Sequence, residues 1–334
     1  MKITNLIDPD SQGEDAQKEQ FAIDVLTGLA ATPKSLSSKY FYDDAGSEIF
    51  KRITQHHDYY PTRTEVEIIR EMNAVLPRII DEKEIDIIEL GAGDGHKSQL
   101  IIQGFLDAGH IVNFYPIDIS GKAMDMLESN IDKHENLNIH GVVAEYFKGL
   151  RLVREKSTNR QLVLFLGSNI GNFDRVQNQG FLRKLWMSMN ASDYVLLGFD
   201  LKKDVGILTA AYNDSGGHTR DFNLNILKRI NSELGGEFDI NKFQHLGVYS
   251  PILGAMESYL VATENQDVFI STLERSFHFE AYEPIHLEYS FKFLESDIDF
   301  LSKKTGFDTL RHFTDPKEYF IDSLWKVVKE SGLM

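Results

Sequence analysis

The sequence predicts an α/β protein organised around a doubly wound, mostly parallel sheet, and three observations carry that reading. From residue 85 to residue 200, apolar β-branched runs alternate with stretches of helical spacing, as expected of strands buried on both faces and joined by crossover helices. The first run, Ile85-Asp86-Ile87-Ile88-Glu89-Leu90, breaks into the glycine-rich turn Gly91-Ala92-Gly93-Asp94-Gly95, and helical spacing resumes at Lys97. The second run closes on an acid, Asp118. Ligands of such sheets sit at the carboxyl ends of the strands, near the point where strand order reverses.

Composition sets the bounds. A chain of 334 residues with 42% hydrophobic content has room for one large domain or two modest ones. It contains no run of about 18 uncharged apolar residues and opens on a polar, acidic segment, so a cytoplasmic protein with no membrane span is expected. Cysteine is absent, which excludes disulfides, thiolate metal sites and a cysteine nucleophile. A formal charge of −16 argues against nucleic acid, because phosphate binding needs clustered Lys and Arg. Small-molecule partners and a monomer are the expectation.

In chain order, residues 1 to 12 read as frayed, and Gly13 to Ala30 reads as an amphipathic helix with Phe21, Val25 and Leu29 on its buried side. An aromatic loop from Pro33 to Ser47 leads into a helix through Ile49, Phe50 and Ile53. Pro61 is expected to end that helix, with Thr62 or Thr64 capping the next. Beyond the glycine turn, strands are expected at 111–118, 137–143, 161–168 and 194–200. Residues 202–243 read as largely helical, 259–293 as strand-like, 294–307 as helix, and 309–313 as a last strand. Two domains follow from this reading, one of residues 64–200 and 292–334 and another of residues 1–63 and 201–291, the latter part an insertion packing on the N-terminal segment.

The glycine turn constrains its ligand. A dinucleotide turn spaces its glycines G-x-G-x-x-G, whereas here the third glycine comes early and Glu89 and Asp94 flank the turn. A pyrophosphate would be repelled by those acids; a cationic, phosphate-free ligand would not. S-adenosylmethionine fits, since its sulfonium is positive and its ribose diol suits a carboxylate such as Asp118. His56 and His57 invite a metal reading, but neighbouring side chains on a helix do not face one another and no third ligand is close in sequence, so no metal is expected.

Several segments together resemble a known family. These are Tyr40-Phe41-Tyr42-Asp43-Asp44-Ala45-Gly46-Ser47, Tyr59-Tyr60-Pro61-Thr62-Arg63-Thr64-Glu65, Glu89-Leu90-Gly91-Ala92-Gly93, Phe165-Leu166-Gly167-Ser168-Asn169-Ile170-Gly171-Asn172, Gly198-Phe199-Asp200 and Glu288-Tyr289-Ser290-Phe291-Lys292-Phe293. They look like the L-histidine Nα-methyltransferases of ergothioneine biosynthesis, in the same order over nearly the whole chain. The resemblance implies a class I S-adenosylmethionine-dependent methyltransferase fold, Rossmann-like, with a second, substrate-binding domain. It also implies trimethylation of the histidine α-amine to hercynine, with S-adenosylhomocysteine as the second product.

By the same resemblance, Gly91, Gly93, Lys97 and Asp118 match cofactor contacts, with Asp118 on the ribose, and Glu145 and Tyr146 stand beside the adenine. Asn172 and Tyr212 match the groups that hold the amino-acid carboxylate and orient the amine, and Tyr42 lies near that amine. Tyr59, Glu288 and Ser290 match the imidazole side. Tyr42 and Asn172 are the residues expected to act in catalysis, Tyr42 as an orienter, since a phenol of pKa about 10 is a poor base. Without the family, Asn172 also reads as a helix cap and Glu288 as a solvent-facing strand residue. Ser258 and Asn169 depart from the family's usual methionine and threonine, and a small Ser258 leaves room for an indole, so tryptophan is the alternative acceptor. An NAD-dependent oxidoreductase and a non-catalytic cofactor sensor are the readings from other classes.

Overall fold

The computed structural model describes residues 1–6, 14–93, 95–119 and 121–329. Asp94 and residues 7–13, for which the sequence carried expectations, lie outside the described residues. The chain divides into two compact units, one of Met1–Ile7, Pro61–Lys202 and Phe293–Met334, the other of Asp8–Tyr60 and Lys203–Lys292.

The first unit holds an eight-stranded sheet. Its strands are β1 (Lys2–Asn5), β2 (Glu84–Leu90), β3 (Ile111–Asp118), β4 (Leu137–Val143), β5 (Arg160–Phe165), β6 (Tyr194–Asp200), β12 (Phe307–Thr314) and β13 (Phe320–Val327), in the spatial order β1-β4-β3-β2-β5-β6-β13-β12. Strands β1 to β6 pair in parallel, and β13 runs antiparallel to both β6 and β12. Strand order reverses at β2, which pairs β3 on one side and β5 on the other. The turns after β2 and β5 therefore flank the switch point, where a ligand is expected. Helices α3 (Tyr60–Met72), α4 (Leu76–Ile79), α5 (His96–Asp107), α6 (Gly121–Asn130), α7 (Tyr146–Lys156), α8 (Arg175–Ser188) and α11 (Glu295–Thr305) belong to this layered arrangement. The core packs Ile85, Ile87, Leu162, Leu164 and Leu196 of the sheet with Ile68, Ile69, Ile101 and Phe105 of α3 and α5.

The second unit joins α1 (Glu14–Ala30) and α2 (Asp44–Gln55) to α9 (Val205–Tyr212), α10 (His218–Leu234) and five strands. Strands β7 (Phe243–Ser250), β8 (Ala255–Ala262) and β11 (Pro284–Phe291) form an antiparallel sheet in the order β11-β8-β7, and β9 (Gln266–Ile270) pairs with β10 (Arg275–Phe279). Phe21, Val25 and Leu29 of α1 share one core with Ile226 and Ile230 of α10 and Leu260 and Ile285 of the sheet. The N-terminal helices thus pack on the segment from α9 to β11.

Four local expectations are corrected. Lys2–Asn5 is not frayed but forms β1, an edge strand in parallel register with β4. Pro61 does not end α2, which stops at Gln55; it lies in the first turn of α3, where a missing N–H costs nothing. Residues 309–313 do form a strand, within β12, but it is not the last: β13 follows, its residues nearly all buried, a two-sided burial that the mixed Phe320-Ile321-Asp322-Ser323-Leu324-Trp325 text conceals. The strand region of the second unit begins at Phe243, ahead of the predicted residue 259.

Gly104 of α5 supplies a test of the packing. A Cβ there would sit 2.2 Å from the backbone oxygen of Asn73, just past α3. In an open helix, glycine to alanine gains about 1 kcal/mol; here backbone overlap dominates, so Gly104→Ala is expected to destabilise by about 1–3 kcal/mol. A lower urea midpoint checks it; a raised midpoint would contradict this packing.

Candidate active site

Three glycines of the first turn occupy the left-handed region, with φ of 76° at Gly91, 54° at Gly93 and 75° at Gly95. Side chains other than glycine rarely adopt it, so the turn depends on these residues. Gly91 N–H donates to Ile117 O at 2.9 Å, tying the turn to the end of β3, and Gly95 N–H donates back to Ala92 O at 3.0 Å. The following α5 presents its first N–H groups at the sheet edge. Glu89, buried, accepts from Ser98 Oγ in the first turn of α5. This acid is held toward a helix N-terminus, where negative charge is favoured.

The second turn follows β5, with Gly167 at φ 78° and Ser168 at φ 56°. Ser168 Oγ accepts from Asp200 N–H at 2.9 Å, fixing this turn to the end of β6. Asn172 closes the short 3₁₀ turn Asn169–Asn172 and is exposed. It is not a helix cap: Asp174 caps α8, accepting from Val176 and Gln177 N–H, with Gln177 reaching back to Asp174 N–H. Asn169 Nδ2 donates to Leu166 O at 2.9 Å.

A buried charge group that the sequence did not disclose connects the two turns. Glu65 of α3 accepts from Lys97 Nζ at 2.7 Å and from Gly167 N–H at 2.6 Å. The ammonium also lies 3.2 Å from where a Cβ on Gly167 would stand. Burial opposes the Lys97 charge, but Glu65, Glu89 and Asp322 outweigh it and hold the lysine pKa above its usual value. Lys97, expected as a cofactor contact, is thus bound to a neighbouring acid. Asp322 of β13 is fully buried, and neither of its oxygens has a hydrogen-bond partner. Burial, followed by the charge of Glu65, pushes its carboxyl well above the usual range, with Lys97 pulling the other way.

The remaining cofactor-side residues divide. Asp118 ends β3 half-buried. The Tyr146 hydroxyl stands 2.9 Å from where a Cβ on Gly91 would be. Burial raises the Tyr146 pKa to about 12, and Asp118 and Glu89 add to it, so it remains a neutral donor against the glycine turn. Glu145 lies at the start of α7 with its side chain 74% exposed, 4.0 Å from Lys148.

In the second unit, Tyr212 O–H donates to Ser290 Oγ at 2.6 Å, and Lys292 Nζ donates to Tyr212 Oη at 2.9 Å and Ser290 Oγ at 2.8 Å. A register shift between His286 and Glu288 turns His286 to the opposite face and sets Glu288 directly across from Ser258 of β8. Glu288 and Ser290 consequently line one face of β11, and Lys292, one residue past its end, continues that spacing. Burial raises the Glu288 carboxyl to about 7, with Lys292 acting to lower it. Elsewhere in the unit, the Tyr42 ring meets Phe50 and Phe222 edge-on at 5.3 and 5.4 Å, and Tyr59 meets Phe50 at 6.4 Å. Tyr42 is half exposed. Phe50 and Phe222 make this an aromatic group rather than isolated tyrosines.

The histidine argument needs revision in its geometry. His56 follows α2 in extended backbone, so it and His57 are not on a helix, and their rings lie 4.4 Å apart. Ligand atoms of His56, Asp214 and His218 also lie within 4.8 Å of one another. Asp214 has another task there, because its two oxygens accept from His218 N–H and Thr219 N–H at the start of α10.

Strand order 4-3-2-5-6-13-12, with the antiparallel β13 inserted beside β6, and glycine turns at the switch point define a class I S-adenosylmethionine-dependent methyltransferase. The profile of the family described as "Histidine-specific methyltransferase, SAM-dependent" matches residues 21–327, and the chain belongs to that family. It is 34% identical over 91% of its length to the histidine N-alpha-methyltransferase of Mycobacterium tuberculosis, covering 94% of that protein. The enzyme of the same name from Mycolicibacterium smegmatis is 33% identical, with 95% of this chain and 96% of that one covered. A 4-dimethylallyltryptophan N-methyltransferase of Claviceps purpurea is 28% identical over 61% of this chain and 60% of its own. Among the described residues no helix is long and apolar enough to cross a membrane.

Glu65, Asp322, Lys292, Phe50 and Phe222 are site-region residues that sequence reasoning missed. Lys292 had a signal, since it continues the two-residue spacing of Glu288 and Ser290. Asp322 had none, because its strand was not foreseen.

Asp322 yields a pH test. A carboxyl with a raised folded pKa keeps its proton where the unfolded chain has lost it. Its contribution to stability is therefore complete at low pH and is lost as pH rises from about 4 through the folded value. Asp322→Asn removes this titration, so the variant should gain stability relative to the parent between pH 5 and pH 8. Urea midpoints at the two pH values measure it, and an identical difference at both would refute a protonated Asp322.

Proposed function

We propose that this enzyme transfers methyl groups from S-adenosylmethionine to the α-amine of L-histidine, ending at N,N,N-trimethylhistidine. The observation that carries the reading is the polar strip of β11, where Glu288 and Ser290 share a face, Lys292 continues their spacing and Tyr212 is bonded into it. A neutral imidazole has one N–H donor and one nitrogen acceptor. Glu288 meets the first and the Ser290 hydroxyl the second. The two mycobacterial relatives, matched over nearly their full lengths, are named for methylation of histidine at its α-nitrogen.

The division of the chain supports the assignment of tasks. The first unit acts as the cofactor domain: its glycine turns receive S-adenosylmethionine, Asp118 takes the ribose diol, and Tyr146 donates a hydrogen bond from beside Gly91. The second acts as the substrate domain. Asn172, which has no capping duty, and Tyr212 are the neutral donors for the amino-acid carboxylate. The attacking lone pair must lie in line with the departing sulfur, and an amine of pKa about 8 or higher must be bound in or brought to its neutral form. Alignment and desolvation carry the rate, with Tyr42 steering the amine and no covalent intermediate. A monomeric, cytoplasmic enzyme agrees with this chemistry.

Tryptophan is the second reading, favoured by one observation: the buried Ser258, paired directly with Glu288, is small. Ser258→Met should narrow any acceptance of indole. Methyl transfer to histidine, its N-methylated forms, tryptophan and tyrosine decides between the readings, and turnover of tryptophan or tyrosine alone would overturn histidine.

Two further outcomes are expected. Asn172→Ala should lower methyl transfer by about 100-fold, a loss of the order of one or two charge-assisted hydrogen bonds, while S-adenosylhomocysteine affinity changes less than threefold; equal losses would remove Asn172 from the substrate. Glu288 accepts a ring N–H most strongly when ionised, so kcat/KM for histidine should fall as pH drops below about 7. Glu288→Gln should abolish that acidic limb, and a limb that persists would belong to another group.

A further inference from the structure

Lys292 has no task in the functional reading, although burying an ammonium is costly unless it is well bonded. It is 3% exposed, and its Nζ donates to both Tyr212 and Ser290 while lying 4.8 Å from the Tyr212 ring centroid. Proton counting shows what this achieves. Tyr212 has one hydroxyl proton, and in this structure it is spent on Ser290 Oγ. That proton cannot serve a substrate carboxylate at the same time. An ammonium has three donors and no acceptor, so neither hydroxyl can donate to Lys292. When Tyr212 turns its proton to a ligand, Ser290 Oγ still has the Lys292 donor, and no buried oxygen is left unpaired.

We infer that Lys292 is a positioning residue for the amino-acid substrate: it donates to the oxygens of Tyr212 and Ser290 so that both hydroxyl protons are directed at the bound amino acid. This rests on the functional reading above and deepens it. The ligand class follows: an α-amino acid whose carboxylate accepts from Tyr212 and whose side-chain ring offers an in-plane nitrogen lone pair to Ser290. Imidazole has that lone pair and indole does not, so Lys292 acts as a determinant of ring choice. Its positive charge has a second effect, on Glu288 of β11. Among the described residues, the titratable groups that share this face by register are His245 and Tyr249 of β7, with Tyr212 of α9 bonded into it. Burial holds His245 below its usual pKa, and its Nε2 faces Tyr212 O at 2.8 Å. Lys292 is therefore the cation acting on Glu288.

The test uses Lys292→Met, Lys292→Gln and Lys292→Arg in the full-length enzyme. Each is measured for KM of the amino acid, Kd of S-adenosylhomocysteine, and kcat/KM against pH. Lys292→Met should raise the histidine KM about tenfold or more, as expected for loss of charge-assisted hydrogen bonds, with the S-adenosylhomocysteine Kd within twofold. Its acidic limb should move to higher pH, because the charge that lowers the Glu288 pKa is gone. Lys292→Gln keeps donors without charge, so it should recover part of the KM and leave the limb displaced. Lys292→Arg should restore both in large part.

An unchanged KM and limb in Lys292→Met overturns the inference. So does loss of S-adenosylhomocysteine binding and early melting in all three variants, which would make Lys292 a packing residue. The acceptor is first fixed on the unmutated enzyme. If that acceptor is not histidine, the functional reading fails, and Lys292 is judged on the amino acid that is methylated, through the Tyr212 bond to its carboxylate.

Discussion

Glu65 carries a buried negative charge to the meeting point of the two glycine turns, and the cofactor end of the first unit depends on how that charge is met. One oxygen takes the Lys97 ammonium and the other takes the Gly167 N–H. A single carboxylate thereby fixes α3, α5 and the turn after β5 against one another. Gly198 makes room for it, since a Cβ on β6 would come within 2.6 Å of Glu65 Oε1. A buried ion pair contributes little net stability, but losing one partner is costly. The pair is better understood as a device for position: it holds two backbone turns in a geometry that neither glycine-rich sequence would keep by itself.

Asp322 follows from the same constraint. Three carboxylates, Glu65, Glu89 and Asp322, act on one lysine. Lys97 neutralises Glu65 directly, and Glu89 is satisfied by Ser98 at the start of α5. That leaves Asp322 with no hydrogen-bond donor and only the shared charge of Lys97, and protonation is the cheapest state for such a buried carboxyl.

What the sequence discloses depends on how local the signal is. Strands β2 to β6 were legible because each carries a short run rich in β-branched, aliphatic or aromatic residues, continuous in β5 and β6, and the Gly91 turn because three closely spaced glycines have few other uses. Strand β13 was not, since it buries Asp322 and Ser323 among its apolar residues and so reads as amphipathic. Edge strand β1 is four residues long and mostly exposed, which leaves no hydrophobic pattern to detect. The Glu65–Lys97 pair spans 32 positions, and no local rule pairs them. For the candidate site, the family resemblance supplied Asn172, Tyr212, Glu288 and Ser290, but it could not say what else touches them. Plain alternation puts His286 on the same face as Glu288; the bulge removes it, and only the register discloses that.

The two ends of the chemistry set opposite electrostatic demands, and the chain meets them with the same kind of device. At the proposed cofactor end a lysine is surrounded by acids, so that its charge is consumed internally and backbone dipoles and a half-buried Asp118 are left for the ligand in that reading. At the proposed amino-acid end a lysine is bonded to two hydroxyls, and in that reading its charge would reach the ligand through neutral oxygens and through Glu288. In both places the ammonium orders its neighbours rather than touching a reactant. That choice suits methyl transfer to an amine. A bare cation beside the nitrogen would compete with the sulfonium for its lone pair and repel the trimethylated product, whereas a cation one bond removed can align the same groups without doing either.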